Sequence, residues 1–157
     1  MRFASVLTAG VLLFSCATAR AQAPHAFQQR CSVCHQPSGA GIPGIYPPIA
    51  GAIGRYLKVP QGRTFLVHLL LYGMTGPITS HGISYEGLMP SAADLGDKDL
   101  ADAINHVVRK LNAAEAPGDF KPFTAAEFKA ARGAALTPQD VFHEREKLIA
   151  ALGTTKP

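Results

Sequence analysis

Cysteine is scarce. Only Cys16, Cys31 and Cys34 occur in 157 residues, an odd number that cannot build a disulfide framework. Charge is sparse too, at 17% of residues, with 15 Lys and Arg against 11 Asp and Glu. The resulting +4 is too mild for the basic stripe that binding to nucleic acid requires. A second Cys-x-x-Cys pair and an H-E-x-x-H pattern are both missing, which removes the usual zinc sites. No alternating strand pattern stands out, so an all-α fold is expected. Tryptophan is absent, and that excludes nothing. What the chain has in quantity is apolar residues, 47%, enough for one packed domain and too many for a disordered one.

The apolar run Phe3–Phe14 follows Arg2 and is too short to cross a bilayer, which takes about 20 residues. Small-x-small sites follow at Ala19-Arg20-Ala21 and Ala21-Gln22-Ala23. Basic start, apolar stretch and A-x-A site together mark residues 1–23 as a secretory signal peptide, cleaved after Ala23 or after Ala21. The mature chain then starts near Pro24, loses Arg2 and Arg20, and keeps Cys31 and Cys34 with a charge of 13 minus 11, or +2. Leu13-Phe14-Ser15-Cys16 also loosely resembles a bacterial lipobox. In that alternative Cys16 is lipidated and the chain is tethered to a membrane; otherwise the product is soluble in the periplasm.

Cys31-Ser32-Val33-Cys34-His35 is the most specific signal. C-x-x-C-H is the attachment pattern of c-type haem. Two thiols three positions apart on a helical turn each bond one haem vinyl group, and the next histidine comes over the iron as proximal ligand. A thioredoxin-like pair would need a βαβ context, and none is visible.

The surrounding residues resemble a family. Phe27 stands four residues before Cys31, on the same helix face. Gly39-Ala40-Gly41-Ile42-Pro43-Gly44-Ile45-Tyr46-Pro47-Pro48-Ile49-Ala50-Gly51 is similar to a G-x-G-x-P-G-x-x-P-P-L-x-G loop, and Tyr85-Glu86-Gly87-Leu88-Met89-Pro90 to a Y-x-G-x-M-P segment. With a closing helix over 97–112, these resemble the class I c-type cytochromes, small monohaem electron carriers. The resemblance runs from about Phe27 to Asn112, in a domain expected over 24–112, and implies a small helical fold around one covalently attached haem c. It also implies that the Pro47 carbonyl accepts the hydrogen bond of the ligating imidazole, that Arg55 stands near a haem propionate, and that an aromatic residue of the closing helix crosses helix one. That slot holds His106.

The distal ligand can be approached from the residues alone. Met1 leaves with the signal, so Met74 and Met89 remain. Met74 ends the apolar run Phe65–Gly73, a buried helix, and is expected to serve packing. Met89 lies in a turn-rich stretch ahead of Pro90 and is the expected sixth ligand, with His81 as rival. Tyr85 is expected against the haem or one of its propionates, or in plain core packing. His68 is expected to be partly buried, and His25 and His143 to face solvent.

Expected elements are helix one over 24–34, a long Gly/Pro loop over 36–54, a helix or helix pair over 55–73, a Met-bearing loop over 75–95, and a closing helix capped by Asp97 with Leu100, Ile104, Val107, Val108 and Leu111 on one face. Residues 113–157 have balanced charge, six against six. Thr124-Ala125-Ala126-Glu127 is a capping box with Phe123 and Phe128 as staple. Thr137-Pro138 starts a further helix, stapled by Leu136 and Val141 and ended by Gly153. A C-terminal helical hairpin is therefore expected, covering the core or docking a partner. No ligand lies beyond Asn112, so its loss is expected to spare the haem spectrum.

Two functions compete. With His and Met on the iron, no iron position is left for a substrate, and His/Met ligation raises the potential. This suits an electron carrier, not an enzyme, passing electrons from a periplasmic dehydrogenase to an acceptor such as a terminal oxidase. The alternative is a haem-based gas sensor or catalyst with a labile distal methionine. A di-haem peroxidase would need a second C-x-x-C-H, which is missing.

Overall fold

A computed structural model describes residues 23–154. The expected signal peptide, its cleavage sites and Cys16 lie outside the described residues. A π-helical turn, Phe27–Cys31, runs into α1 (Ser32–His35). After the long loop come a 3-10 turn, Gly54–Lys58, and α2 (Gln61–Tyr72). Four short strands follow: β1 (Met74–Thr75), β2 (Ile78–Ser80), β3 (Ile83–Tyr85) and β4 (Leu88–Met89). The chain closes with α3 (Asp97–His106), which continues as a π turn, Val107–Leu111, and with α4 (Ala125–Ala131) and α5 (Pro138–Thr154).

The fold is mostly helical, and the strands refine the expected loop over 75–95. β1 pairs antiparallel with β4 in the register Met74 to Met89 and Thr75 to Leu88. Inside that pair, β2 and β3 form a second ribbon with Ile78 opposite Tyr85. Segments of two or three residues are too short to show a period of two.

Two helix ends differ from expectation. Gly96, not Asp97, is the N-cap of α3, and Asp97 is its first helical residue. Its carboxylate still favours the positive end of the helix, and it accepts from Nε of Arg132 at 2.6 Å. Gly153 lies inside α5 rather than after it. The two hairpin starts are built on side-chain caps. Thr124 and Glu127 form the capping box of α4, and Thr137 and Asp140 bond reciprocally at the start of α5.

Leu100, Ile104, Val107 and Val108 of the closing helix are buried. The His106 ring packs tilted against that of Phe27 with centroids 4.7 Å apart, so an imidazole fills the aromatic slot where this helix crosses the first. The hairpin shares the same core: Phe123, Phe128, Val141 and Leu148 are buried in one cluster with Phe65, Leu66 and Leu100. Two arginines clip it down. Arg63 of α2 bonds Glu127 and the carbonyls of Lys121 (2.7 Å) and Pro122 (2.8 Å), its guanidinium 4.2 Å from the Phe123 ring. Arg132 bonds Asp97 and the carbonyls of Ala93 and Leu95, both at 2.7 Å. Asn112, fully buried, ties the long loop to the closing helix. Its Oδ1 accepts from the amides of Ile53 (3.1 Å) and Gly54 (2.9 Å), and its Nδ2 donates to the carbonyls of Ile49 (2.8 Å) and Val107 (3.0 Å).

Candidate haem site

Cys31 precedes the short α1 and Cys34 and His35 lie in it, so all three side chains are carried within little more than one turn. The two cysteines form no disulfide, and each is half-buried. Burial pushes the Cys31 thiol up to about 11, against the opposing pull of the Arg30 charge. A reactive redox cysteine or a thiolate metal ligand needs the opposite shift. A neutral thiol in an apolar wall fits a thioether, which carries no charge.

Nδ1 of His35 stands 2.9 Å from the Pro47 carbonyl. A carbonyl only accepts, so Nδ1 carries the proton and Nε2 is the free, basic nitrogen. Burial lowers the His35 pKa, partly offset by the Pro47 bond, which favours the neutral ring that ligates metals. Gly41 makes this geometry possible. Its amide donates to the His35 carbonyl at 3.0 Å. A Cβ on it would lie 2.2 Å from the carbonyl oxygen of Tyr46 and 2.7 Å from that of Pro47. With φ at +67°, the position admits glycine for both reasons.

Two adjoining cavities of about 640 and 60 Å3 share Cys31, His35, Leu70 and Met89 in their walls. The larger also takes in Cys34, Pro47, Met74 and Tyr85. Its size lies in the range of cofactor pockets, roughly 300–1,000 Å3. The smaller is walled by apolar side chains of α2 and the closing helix, Leu66, Leu69, Ile104 and Val107 among them. A large apolar cofactor fits these walls, which bring two cysteines, one imidazole and two thioethers to one cavity.

The other residues expected at the site can now be placed. His35, Pro47, Tyr85 and Met89 all line the larger cavity, and Tyr85 is 5% exposed. Arg55 does not line it. It is exposed, 5.8 Å from the Tyr56 ring, because on the 3-10 turn Gly54 and Tyr56 take the inward positions. His81, at φ 49° in the turn between β2 and β3, is exposed and lines neither cavity. Met74 is buried and lines the larger cavity opposite Met89 in the strand pair. Sequence reasoning did not single out Leu70 and Ile78, which also line it; single apolar residues carry no signal of their own. Tyr46, another lining residue, did lie within the quoted loop motif.

A family model described as cytochrome c matches residues 21–111. A cytochrome c-552 from Thermus thermophilus is 43% identical over 90% of this chain and 95% of its own length. A second Thermus thermophilus cytochrome c-552 is 44% identical over 76% of this chain and 91% of its own. Coverage of 90% cannot be reached without residues beyond the family model's end at Leu111. The cytochrome c subunit of a quinone alcohol dehydrogenase from Gluconacetobacter polyoxogenes is 26% identical over 61% of this chain and 20% of the subunit. The chain therefore belongs to the cytochrome c family, whose covalently bound haem c carries the iron for electron transport.

Proposed function

We propose that this electron carrier is an exported monohaem protein, not an enzyme, in which Cys31 and Cys34 would attach the haem and His35 and Met89 would hold its iron. Electrons enter from a dehydrogenase and leave to an acceptor such as a terminal oxidase. The observation that carries this reading is the shared wall: His35, with Nδ1 committed to Pro47, and Met89 border both lobes of the cavity, whereas Met74 borders one. When bound, the haem iron takes up and gives back one electron.

The chain's own residues supply the rest. Pro47 orients the imidazole and raises its basicity. The Met89 thioether, neutral and soft, stabilises the reduced iron relative to the oxidised and so raises the potential. Apolar side chains of α2 and the closing helix exclude water. The mouth of the larger cavity is rimmed by Val33, Ile45 and Leu88, which are 72, 61 and 63% exposed. Such an apolar rim suits brief contact with a partner. The likeness to a dehydrogenase cytochrome subunit supports a dehydrogenase as donor, and the signal-like residues 1–23 support export to the periplasm.

The test compares Met89→Ala with Met74→Ala in the haem-loaded protein. Met89→Ala should lose the thioether-to-iron charge-transfer band, bind carbon monoxide readily and show a lower potential. Met74→Ala should do none of these. The reverse pattern would move the ligand to Met74. Wild-type protein that binds carbon monoxide as fast as Met89→Ala would replace the carrier with a sensor or catalyst.

A further inference from the structure

The family model stops at Leu111, so it assigns nothing to α5. Yet α5 packs directly on the strand that faces Met89. β1 is flanked by β4, where Met74 and Met89 stand opposite, and by α5. Beyond β1 the chain turns at Gly76, φ +139°. A Cβ there would lie 2.6 Å from Cδ2 and 2.8 Å from Cε2 of Phe142, so the Phe142 ring rests against bare backbone. Three residues on, and hence on the same helix face, Arg145 is 8% exposed and donates from Nη2 to the Thr79 carbonyl at 3.4 Å. The two side chains therefore hold the loop at Gly76 and at Thr79. Between them, α5 is pinned to α2 by Glu144, whose carboxylate oxygens lie 2.9 and 3.0 Å from Nδ1 of His68.

The strand pairs gain little from their own hydrogen bonds. A two-stranded ribbon is marginal in water even when much longer, and β4 is two residues long. The position of Met89 must therefore come from what backs the ribbon. We propose that Phe142 and Arg145 are positioning residues for Met89: α5 braces β1 and β2 from behind, and through the β1–β4 pair keeps the thioether on the cavity wall. The proposal rests on Met89 being the axial ligand. It gives the C-terminal hairpin a part in closing the iron to external ligands.

The experiment uses full-length, haem-loaded protein and measures carbon monoxide binding, the thioether-to-iron band and the potential. Phe142→Ala and Arg145→Met should each speed carbon monoxide binding about tenfold or more, equivalent to ~1.4 kcal/mol, with a weaker band and a lower potential. Phe142→Leu, which still fills the space against Gly76, should restore most of the wild-type behaviour. The comparator is Phe128→Ala, a fully buried α4 residue on an element packed against α2 and α3. It should lower the melting temperature and leave carbon monoxide binding at the wild-type rate. Wild-type rates in Phe142→Ala and Arg145→Met, alongside an open iron in Met89→Ala, would overturn the bracing role and leave the ligand reading intact. An equal opening in Phe128→Ala would overturn it too, as a general loss of packing. If Met89→Ala stays closed, the ligand assignment fails and the brace with it. Should Phe142→Ala fail to hold haem, Arg145→Met and Phe142→Leu decide.

Discussion

His106 shows how one side chain can serve in place of another. Its ring lies 4.7 Å from that of Phe27, tilted by 50°, in the geometry that gives aromatic pairs about 0.5–1.5 kcal/mol beyond area burial. An imidazole brings a proton equilibrium that a benzene ring does not. Burial lowers the His106 pKa, and the charge of Lys110 lowers it further. The unfolded chain therefore binds that proton more readily than the folded one. Stability carried by the neutral ring is present above the ordinary histidine value of about 6.5 and is lost as pH falls below it towards the lowered folded value. His106→Phe should keep the packing and remove this dependence. Melts of the two proteins at about pH 5, 6, 7 and 8, the range in which histidine titrates, should show a flatter profile for the variant. Parallel profiles would mean that another group carries the slope.

Among the elements, α4 is the one most dependent on charge for its placement. Glu127 caps it from within and is also the acceptor for Arg63 of α2. The Arg63 hydrogen bond, aided by the Thr124 amide and hydroxyl, holds the Glu127 carboxyl down at about 2. The folded value is depressed, so this stability is present above the unfolded value near 4.5 and is lost as pH falls through about 2. Both side chains are about one-third exposed, so solvent screening limits the contribution to about 1 kcal/mol. Glu127→Gln should melt lower than wild type at neutral pH and converge with it near pH 2, as followed by circular dichroism. A gap that persists in acid would assign the loss to packing instead. The helices and this cap were legible in the sequence because their signals are local: Thr124 and Glu127 are three positions apart, and the α3 face repeats every three or four. The cofactor motif was legible because thioether attachment dictates its spacing. What was hidden depends on partners distant in sequence. Asn112 bonds amides 58 and 59 positions away and Arg145 a carbonyl 66 positions away, and no local pattern marks either.

At the scale of the whole molecule, the boundary at Asn112 separates motifs but not cores. All the expected ligands precede it, which makes residues 113–157 look dispensable on the sequence alone. In the folded chain, however, Phe123, Phe128, Val141 and Leu148 are each 3% exposed or less, in one cluster with α2 and α3. Burying a large apolar side chain stabilises by roughly 1.5–3 kcal/mol, so these four contribute on the order of 6–12 kcal/mol, an upper estimate given residual structure in the unfolded chain. The entire stability of a domain is about 5–15 kcal/mol. Removal would also strip Arg63 and Asp97 of their partners and expose the back of β1. A chain ended after Asn112 should therefore melt far below the intact protein and lose six-coordinate haem, although every ligand is still present. Absorption spectra and thermal melts of the two haem-loaded proteins provide the check. A truncated chain that keeps the thioether-to-iron band and the intact melting temperature would show that residues 24–112 hold their own core, and that the buried side chains of the hairpin stabilise only the hairpin.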